Sequence, residues 1–175
     1  MQLNDAIILI QNDYFKKINR PSIWADMGCG TGLFTYALAG CLPSGSMIYA
    51  VDKRNFLKKE NTADGIEIIP LKADFVKNDL RLNNLSGMLM ANSLHYVKDK
   101  SAFIEKVKSY LKNDSCIIIV EYDTDSAVRQ WVPYPVSFYS LEKLFRSTGF
   151  SVVLKIGERP SAFQHNNMYA AFITR

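Results

Sequence analysis

Three glycines stand at alternating positions between Asp26 and Gly32, in the segment DMGCGTG. Glycine has no Cβ, so the chain can turn sharply there and a ligand can lie directly against the backbone. A short apolar run, Ser22–Met27, leads into the glycines, and helically spaced apolar residues follow at Leu33–Ala39. This order predicts a buried strand, a tight turn and a helix whose first N–H groups are free to face a ligand. The turn residues expected to contact the ligand are Gly28, Cys29, Gly30 and Gly32.

The spacing of the glycines argues against a phosphate ligand. A dinucleotide-binding turn has the pattern GxGxxG, but Leu33 stands at its third glycine position and Gly32 comes one residue early. No GK[ST] ending follows, so the lysine of a phosphate-binding P-loop is missing. Asp26 adds a carboxylate, which would repel a pyrophosphate and suits a ligand that carries an ammonium group. The turn therefore favours an amino-acid-like ligand.

A second carboxylate follows the next predicted strand. Asp52 ends the apolar run Met47–Val51, 24 residues after Gly28. At that place the two oxygens of a carboxylate can accept hydrogen bonds from both hydroxyls of a ribose. Asp52 therefore predicts a nucleoside in the same crevice.

A third carboxylate, Asp74, follows the predicted strand Ile66–Leu71. It can accept a hydrogen bond from the exocyclic amine of adenine, while the ring of Phe75 or the stem of Lys53 flanks the base. An adenosine joined to an amino acid without phosphate is S-adenosylmethionine (SAM), and the residues predict this cofactor.

From Trp24 to Arg175 the sequence resembles the class I SAM-dependent methyltransferases. The glycine turn is close to the family pattern DxGxGxG, and the two later carboxylates match its acidic positions after the second and third strands. The segment Ala91–Val97 (ANSLHYV) is similar to the one after the family's fourth strand. The resemblance implies contacts to the methionine part by Asp26, Gly28 and Gly30, to the ribose by Asp52, to the adenine by Asp74, and to the cofactor by Asn92 through its backbone or side chain.

Two residues after the fourth predicted strand are candidates for catalysis. Methylation of a hydroxyl or an ammonium group releases a proton, and an unperturbed imidazole, with a pKa of about 6.5, is suited to accept it. His95 stands at this place, and Tyr96 is the other candidate. A structural role for His95 in the core is the alternative, which the sequence leaves open.

The other apolar runs complete an α/β pattern in which short strands alternate with helices. This pattern predicts a Rossmann-like three-layer sandwich, a mainly parallel sheet with helices on both faces. The further strands are expected at Leu85–Ala91, Cys116–Tyr122, Phe150–Gly157 and Asn167–Thr174, and further helices at Asp99–Lys112 and Ser140–Ser147. The last two strands leave no room for a helix between them and must be antiparallel if they are neighbours. The resemblance implies seven strands with the last one antiparallel, and only a short helix between Asp52 and Ile66; Ser86-Gly87 replaces the acidic residue that usually opens the fourth strand.

We expect residues 1–175 to form a single methyltransferase domain. Within residues 1–20, apolar side chains recur at helical spacing, which predicts one N-terminal helix that ends before Arg20-Pro21. With Tyr14 and Phe15 this helix is a candidate lid over the pocket. A later aromatic-rich stretch either forms a wall of the pocket or seals the following helix into the core; its members are Tyr122, Trp131, Tyr134, Phe138 and Tyr139.

Composition excludes several classes of protein. Apolar residues make up 48% of the 175 and charged residues 22%, as in ordinary globular domains, and no apolar run approaches the roughly 20 residues of a membrane-spanning helix. The net charge of +4 is too small to imply a nucleic-acid partner. Lysines 100, 106, 108 and 112 predict a solvated helix face rather than an RNA contact. Three cysteines without CxxC spacing predict free thiols, no metal site and a cytoplasmic location.

The expected function is transfer of a methyl group from SAM to a small molecule. An RNA or protein methyltransferase is the first alternative, although Ala91–Leu94 stands where a base-amine methyltransferase has an NPPY-like motif. A SAM-binding module without catalysis is the second. The sequence leaves the acceptor, the use of a base and the oligomeric state open.

Overall fold

The chain is described by a computed structural model at residues 1–54, 56–128, 131–161 and 167–175. Its strands are β1 (Ile23–Met27), β2 (Met47–Asp52), β3 (Glu60–Asn61), β4 (Glu67–Lys72), β5 (Leu85–Ala91), β6 (Leu111–Tyr122), β7 (Val152–Pro160) and β8 (Asn167–Thr174). Its helices are α1 (Leu3–Ile10), α2 (Asp13–Lys17), α3 (Leu33–Ala39), α4 (Lys100–Lys108) and α5 (Phe138–Ser147), with a 3-10 turn at Leu94–Tyr96. None of the helices in the described ranges is both long and apolar enough to cross a membrane.

All the strands belong to one sheet, in the order β3-β4-β2-β1-β5-β6-β8-β7. Strands β4, β2, β1, β5 and β6 pair in parallel, and β8 runs antiparallel to both of its neighbours, β6 and β7. The predicted seven-stranded, mainly parallel sheet with an antiparallel last strand is confirmed. The two-residue strand β3 adds an eighth strand at one edge.

Strand β3 stands in the connection where the sequence predicts a short helix. Glu60 and Asn61 pair antiparallel with β4, so the described part of this connection ends in a hairpin. The hairpin closes at Gly65, which has φ +77° and donates its N–H to the carbonyl of Thr62 at 2.9 Å. The prediction of a helix is wrong there, because the connection uses its last residues to pair with the edge of β4.

Side chains alternate between the two faces of the sheet, as they must along a strand. In β1, Trp24 packs in the apolar cluster with α1 and α3, and Asp26 bonds to α3. Ala25 and Met27 instead pack in the cluster that contains α4 and α5. The three layers are therefore α1–α3, the sheet, and α4–α5, and the predicted sandwich is confirmed.

The N-terminal segment forms two helices where the sequence predicts one. Asn12 separates them, because its side chain accepts a hydrogen bond from the N–H of Tyr14 at 2.8 Å and caps α2. Ala6, Leu9 and Ile10 of α1 are buried in the same cluster as α3. Helix α1 is therefore part of the core of its layer.

Tyr14 and Phe15, the two aromatic residues of the N-terminal segment, pack against other aromatic rings. The rings of Phe15 and Trp24 stack with centroids 5.5 Å apart, and the ring centroids of Tyr14 and Phe172 lie 5.3 Å apart. Trp24 stands near the start of β1, whereas the glycine turn follows its end. Tyr14 and Phe15 therefore pack near the end of β1 that lies away from the turn, and a lid role for the N-terminal segment stays a prediction.

Two helix boundaries also differ from prediction. Helix α4 ends at Lys108, and Leu111 pairs with Leu85 as the first residue of β6. Helix α5 begins at Phe138, with Ser137 as its N-cap. After α4 the apolar periodicity continues into Leu111, whose backbone pairs with β5. Helix α5 begins earlier than predicted because Ser137 caps it.

We predict that Gly87→Ala destabilises the protein by about 1–3 kcal/mol through overpacking. A Cβ on Gly87 would lie 2.4 Å from ring atoms of Trp24, which is completely buried. Urea unfolding measures the change, with Ser86→Ala on the neighbouring residue of β5 as the control. Equal stability of the two variants would show that the indole has room to move.

Candidate active site

The three glycines of the turn after β1 serve two purposes. Gly28, Gly30 and Gly32 all have positive φ, at +84°, +53° and +94°. A Cβ on Gly28 would lie 2.6 Å from the Cβ of Ser93, and one on Gly32 would lie 2.7 Å from Cδ2 of Leu57. A Cβ on Gly30 would meet no heavy atom within 4 Å. Gly28 and Gly32 therefore permit close packing, and Gly30 borders open space.

The backbone of the turn is hydrogen-bonded to the end of β2. Gly28 and Cys29 donate their N–H groups to the carbonyl of Val51 at 2.7 and 3.0 Å, and Gly30 donates to Oδ2 of Asp52 at 3.0 Å. These three N–H groups precede the start of α3, and the neighbouring strand accepts them. These N–H groups are therefore not available to a phosphate, which the neighbouring carboxylate of Asp52 would also repel.

Asp52 lies where the sequence predicts it, directly against the glycine turn. Its Oδ2 accepts from Gly30, its Oδ1 accepts the N–H of Arg54 at 2.8 Å, and the residue is half-buried. A carboxylate oxygen has two lone pairs, so each oxygen can accept a further hydrogen bond. Asp52 can therefore bind ribose hydroxyls without losing its contact to the turn.

Asp26 is buried beneath the turn, with 1% of its surface exposed. The hydroxyl of Thr35 on α3 donates to its Oδ2 at 2.6 Å, whereas its Oδ1 has no partner among the described residues. Burial raises the pKa of Asp26 to about 7; the Thr35 hydrogen bond opposes this rise, and the charge of Asp52 adds to it. The carboxyl group is therefore short of hydrogen-bond donors.

Asn92 supplies a second acceptor without a partner. It follows β5 in a left-handed conformation, with φ +52°, and donates its N–H to the carbonyl of Val120 at 2.8 Å. Its side-chain Oδ1 is buried and lacks a partner among the described residues. The next residue, Ser93, donates its hydroxyl to the carbonyl of Met27 at 2.6 Å and so joins the ends of β5 and β1.

These features fit the methionine end of SAM. An ammonium group brings the donors that Asp26 and Asn92 lack, and Gly30 leaves space beside them. Asp26 lies near the end of β1, Gly30 follows β1, and Asn92 follows the neighbouring strand β5. These two unpartnered acceptors are thus ones that an amino-acid-like cation satisfies.

Asp74 lies beyond the end of β4 and is held by its own turn. Its Oδ1 accepts from the N–H groups of Val76 and Lys77 at 3.0 and 3.3 Å, and its Oδ2 lies 3.2 Å from Nζ of Lys53. Burial alone raises the pKa of Asp74, but the hydrogen bonds from Lys53 and the turn outweigh it, and the pKa lies below its usual range. Asp74 is therefore ionised at neutral pH and paired with a residue next to Asp52.

The two groups expected to flank an adenine lie in different surroundings. The ring of Phe75 is buried, 5.8 Å from that of Phe103, and its Cε1 would lie 3.2 Å from a Cβ on Gly28. Lys53 is 64% exposed. Phe75 thus supports the turn from the core, and the Lys53 stem is the group at the surface.

His95 is buried in the 3-10 turn after β5, with 3% of its side chain exposed. Its Nδ1 lies 2.7 Å from Oε2 of Glu121 at the end of β6. Tyr96 is 51% exposed, and its ring centroid lies 4.3 Å from that of His95. Glu121 is not among the residues predicted for the site, although it is the single charged residue in the apolar run Cys116–Tyr122.

The members of the aromatic-rich stretch lie in different surroundings. Phe138 packs on Tyr169, with ring centroids 5.6 Å apart, and belongs to the core. Tyr122 lies 6.3 Å from the ring of His95, and the N–H of Tyr134 donates to the His95 carbonyl at 3.0 Å. Trp131 and Tyr139 are 71% and 64% exposed. Two of the five aromatic residues therefore gather around His95.

The sequence matches the family model described as a methyltransferase domain over residues 2–155. The chain belongs to this family, and the expected class I SAM-dependent methyltransferase is confirmed, with SAM as the cofactor of the class. No curated protein matches the sequence significantly.

Solved structures support the fold. A SAM-dependent methyltransferase from Leishmania major superposes with a TM-score of 0.72 at 18% identity, over 97% of this chain and 72% of that one. Magnesium protoporphyrin IX methyltransferase from Synechocystis, with bound SAM, gives 0.67 at 15% identity over 99% and 78%. 1,6-Didemethyltoxoflavin-N1-methyltransferase from Burkholderia thailandensis, with its substrate and S-adenosylhomocysteine, gives 0.66 at 18% identity over 99% and 78%.

We predict that Asp26 makes the protein less stable as the pH rises from about 4 to about 7. The folded-state pKa is raised to about 7 from 3.8, so in this window only the folded state holds the proton. Stability then falls with rising pH, by at most about 1.4 kcal/mol per unit for one proton. Urea unfolding of the wild type and Asp26→Asn at pH 5, 6, 7 and 8 isolates this contribution as the difference between the two curves. Parallel curves would contradict the prediction.

Proposed function

We propose that residues 1–175 act as one domain that transfers the methyl group of SAM to a small-molecule acceptor. One observation carries the proposal: the Asp52 carboxylate is hydrogen-bonded to the N–H of Gly30, beside the open space that Gly30 borders. A nucleoside joined to an amino acid fits there: the Asp52 carboxylate can bind the sugar, and the glycine turn can contact the amino-acid end.

Each residue has a separate task in this proposal. Bound SAM supplies an electrophilic methyl group. Asp26 and Asn92 accept hydrogen bonds from the ammonium group, Asp52 binds the ribose, and Asp74 with Lys53 lies at the adenine. The protein then mainly holds donor and acceptor in line and excludes water, and such positioning contributes about 7–11 kcal/mol to lowering a barrier.

Two features support a small acceptor. The rings of Tyr96 and Tyr122 have their centroids 4.3 and 6.3 Å from that of His95, near the ends of β5 and β6, and offer apolar surface to a compact molecule. Two of the similar structures are named for small molecules, a protoporphyrin and a toxoflavin precursor.

The lysines of α4 favour this acceptor over RNA. Lys100 donates to the carbonyls of Val97 and Tyr134, and Lys108 to that of Thr148. Lys106 donates to carbonyls in the turn after Asp74. These ammonium groups hold the protein's own loops, which supports a structural role for this helix face.

We expect SAM and S-adenosylhomocysteine to bind in isothermal titration calorimetry and NAD not to bind. Asp52→Ala removes the ribose acceptor and should weaken SAM binding by about tenfold or more, since hydrogen bonds to a charged group contribute about 1.5–3 kcal/mol. Asp64→Ala, an exposed acid in the β3–β4 turn, is the matched control. Tighter binding of NAD, or equal affinity of the two variants for SAM, would refute the assignment.

Gly30→Ala should also weaken SAM binding at least about tenfold, because its methyl group would enter the space beside the turn. The fold should tolerate it, at a cost of about 1–2 kcal/mol for a left-handed alanine, since its Cβ meets no protein atom within 4 Å. Calorimetry with SAM and thermal unfolding separate the two effects. Unchanged affinity in a folded variant would place the ligand elsewhere.

A further inference from the structure

The ammonium group of Lys106 on α4 binds a single turn of the chain. Its Nζ donates to the carbonyl oxygens of Phe75 and Val76 at 3.1 and 3.2 Å, and also to that of Asn78. A lysine ammonium group has three N–H donors, so the three carbonyls match all of them. Lys106 therefore fastens the turn that follows Asp74 to α4.

The same turn determines where the Asp74 carboxylate lies. Its Oδ1 accepts the N–H groups of Val76 and Lys77, and the backbone carbonyl of Asp74 accepts the N–H of Asn78 at 2.8 Å. In return, the N–H of Asp74 donates to Oδ1 of Asn78 at 2.8 Å. These bonds make residues 74–78, the Asp74 turn, one hydrogen-bonded unit. A shift of its carbonyls therefore moves the carboxylate as well.

A second contact from α4 supports the Asp74 turn. The rings of Phe75 and Phe103 are both buried and meet edge to face, with centroids 5.8 Å apart. Phe103 precedes Lys106 by three residues, so both side chains lie on one face of α4. The apolar contact holds the turn to the core, and the lysine holds its backbone carbonyls.

The Asp74 turn also contacts both parts of the candidate cofactor site. Ala73, directly before it, donates its N–H to the backbone carbonyl of Asp52 at 2.9 Å. Within the turn, Cε1 of Phe75 would lie 3.2 Å from a Cβ on Gly28. The turn therefore adjoins the end of β2 on one side and the glycine turn on the other.

We infer that Lys106 is a positioning residue that holds the Asp74 carboxylate in place for the exocyclic amine of adenine, an inference that rests on the proposed function. Lys106 acts through the backbone of the Asp74 turn and does not contact the ligand. An ionised carboxylate only accepts hydrogen bonds, so Asp74 selects a base with an amine at this place and disfavours one with an oxygen. Lys106 therefore contributes to the choice of the base.

Calorimetry with two ligands tests this choice. S-inosylhomocysteine carries an oxygen where S-adenosylhomocysteine carries the exocyclic amine. The wild type should bind S-adenosylhomocysteine about tenfold or more tightly, because the inosine ligand loses a hydrogen bond to a charged group. Lys106→Met removes the donors but keeps the length of the side chain, and it should lower this preference by about threefold or more. A merely structural lysine would change both affinities by the same factor.

Lys108→Met is the matched control. Lys108 lies on the same helix, is also partly buried and donates to the carbonyl of Thr148 at 2.9 Å, which is outside the Asp74 turn. Its variant should keep the wild-type preference. Lys106→Gln is the second variant if Lys106→Met does not fold. Its shorter side chain brings two N–H donors to three carbonyls, so the preference should fall here too.

Thermal unfolding establishes which variants are folded. An unchanged preference in a folded Lys106 variant, an equal fall in Lys108→Met, or failure of both Lys106 variants to fold overturns the inference. A wild type that binds both ligands equally overturns it as well and leaves methyl transfer intact. A wild type that binds neither ligand would instead refute the proposed function.

Discussion

The glycine turn is fastened to the end of β2, and the candidate site depends on this attachment. Three consecutive N–H groups, from Gly28 to Gly30, donate to Val51 or Asp52, so the turn and the acid that is expected to bind the ribose are one hydrogen-bonded unit. The parallel pairing of β1 with β2 sets their register. The geometry of the site is therefore formed by the sheet before any ligand binds, which lowers the entropy cost of binding.

Local patterns were sufficient to predict the sheet and the turn. Each parallel strand is a short apolar run, and the glycines and Asp52 lie at the ends of such runs, where a parallel sheet places its ligands. The acidic position missing at Ser86-Gly87 has a physical explanation in the structure, since Trp24 fills the space above Gly87. In this chain Gly87 packs against Trp24 instead of carrying an acid.

Contacts between distant elements were beyond the sequence. Glu121 and His95 are separated by 26 residues, and only the parallel pairing of β5 with β6 brings them together. The direction of the Phe75 side chain, which decides whether its ring can flank an adenine, depends on the path of the turn that Asp74 caps. The break between α1 and α2 depends on one side-chain cap at Asn12, which an apolar periodicity does not reveal.

The short hairpin that contains β3 also affects how the protein meets other chains. An exposed strand edge is a template for pairing with another molecule, and proteins protect such edges with short strands and charge. Here two exposed polar residues, Glu60 and Asn61, pair with the first two residues of β4, and Lys59 forms an ion pair with Glu67 at 2.9 Å. The short, polar strand therefore protects the first residues of this sheet edge against pairing with a second molecule.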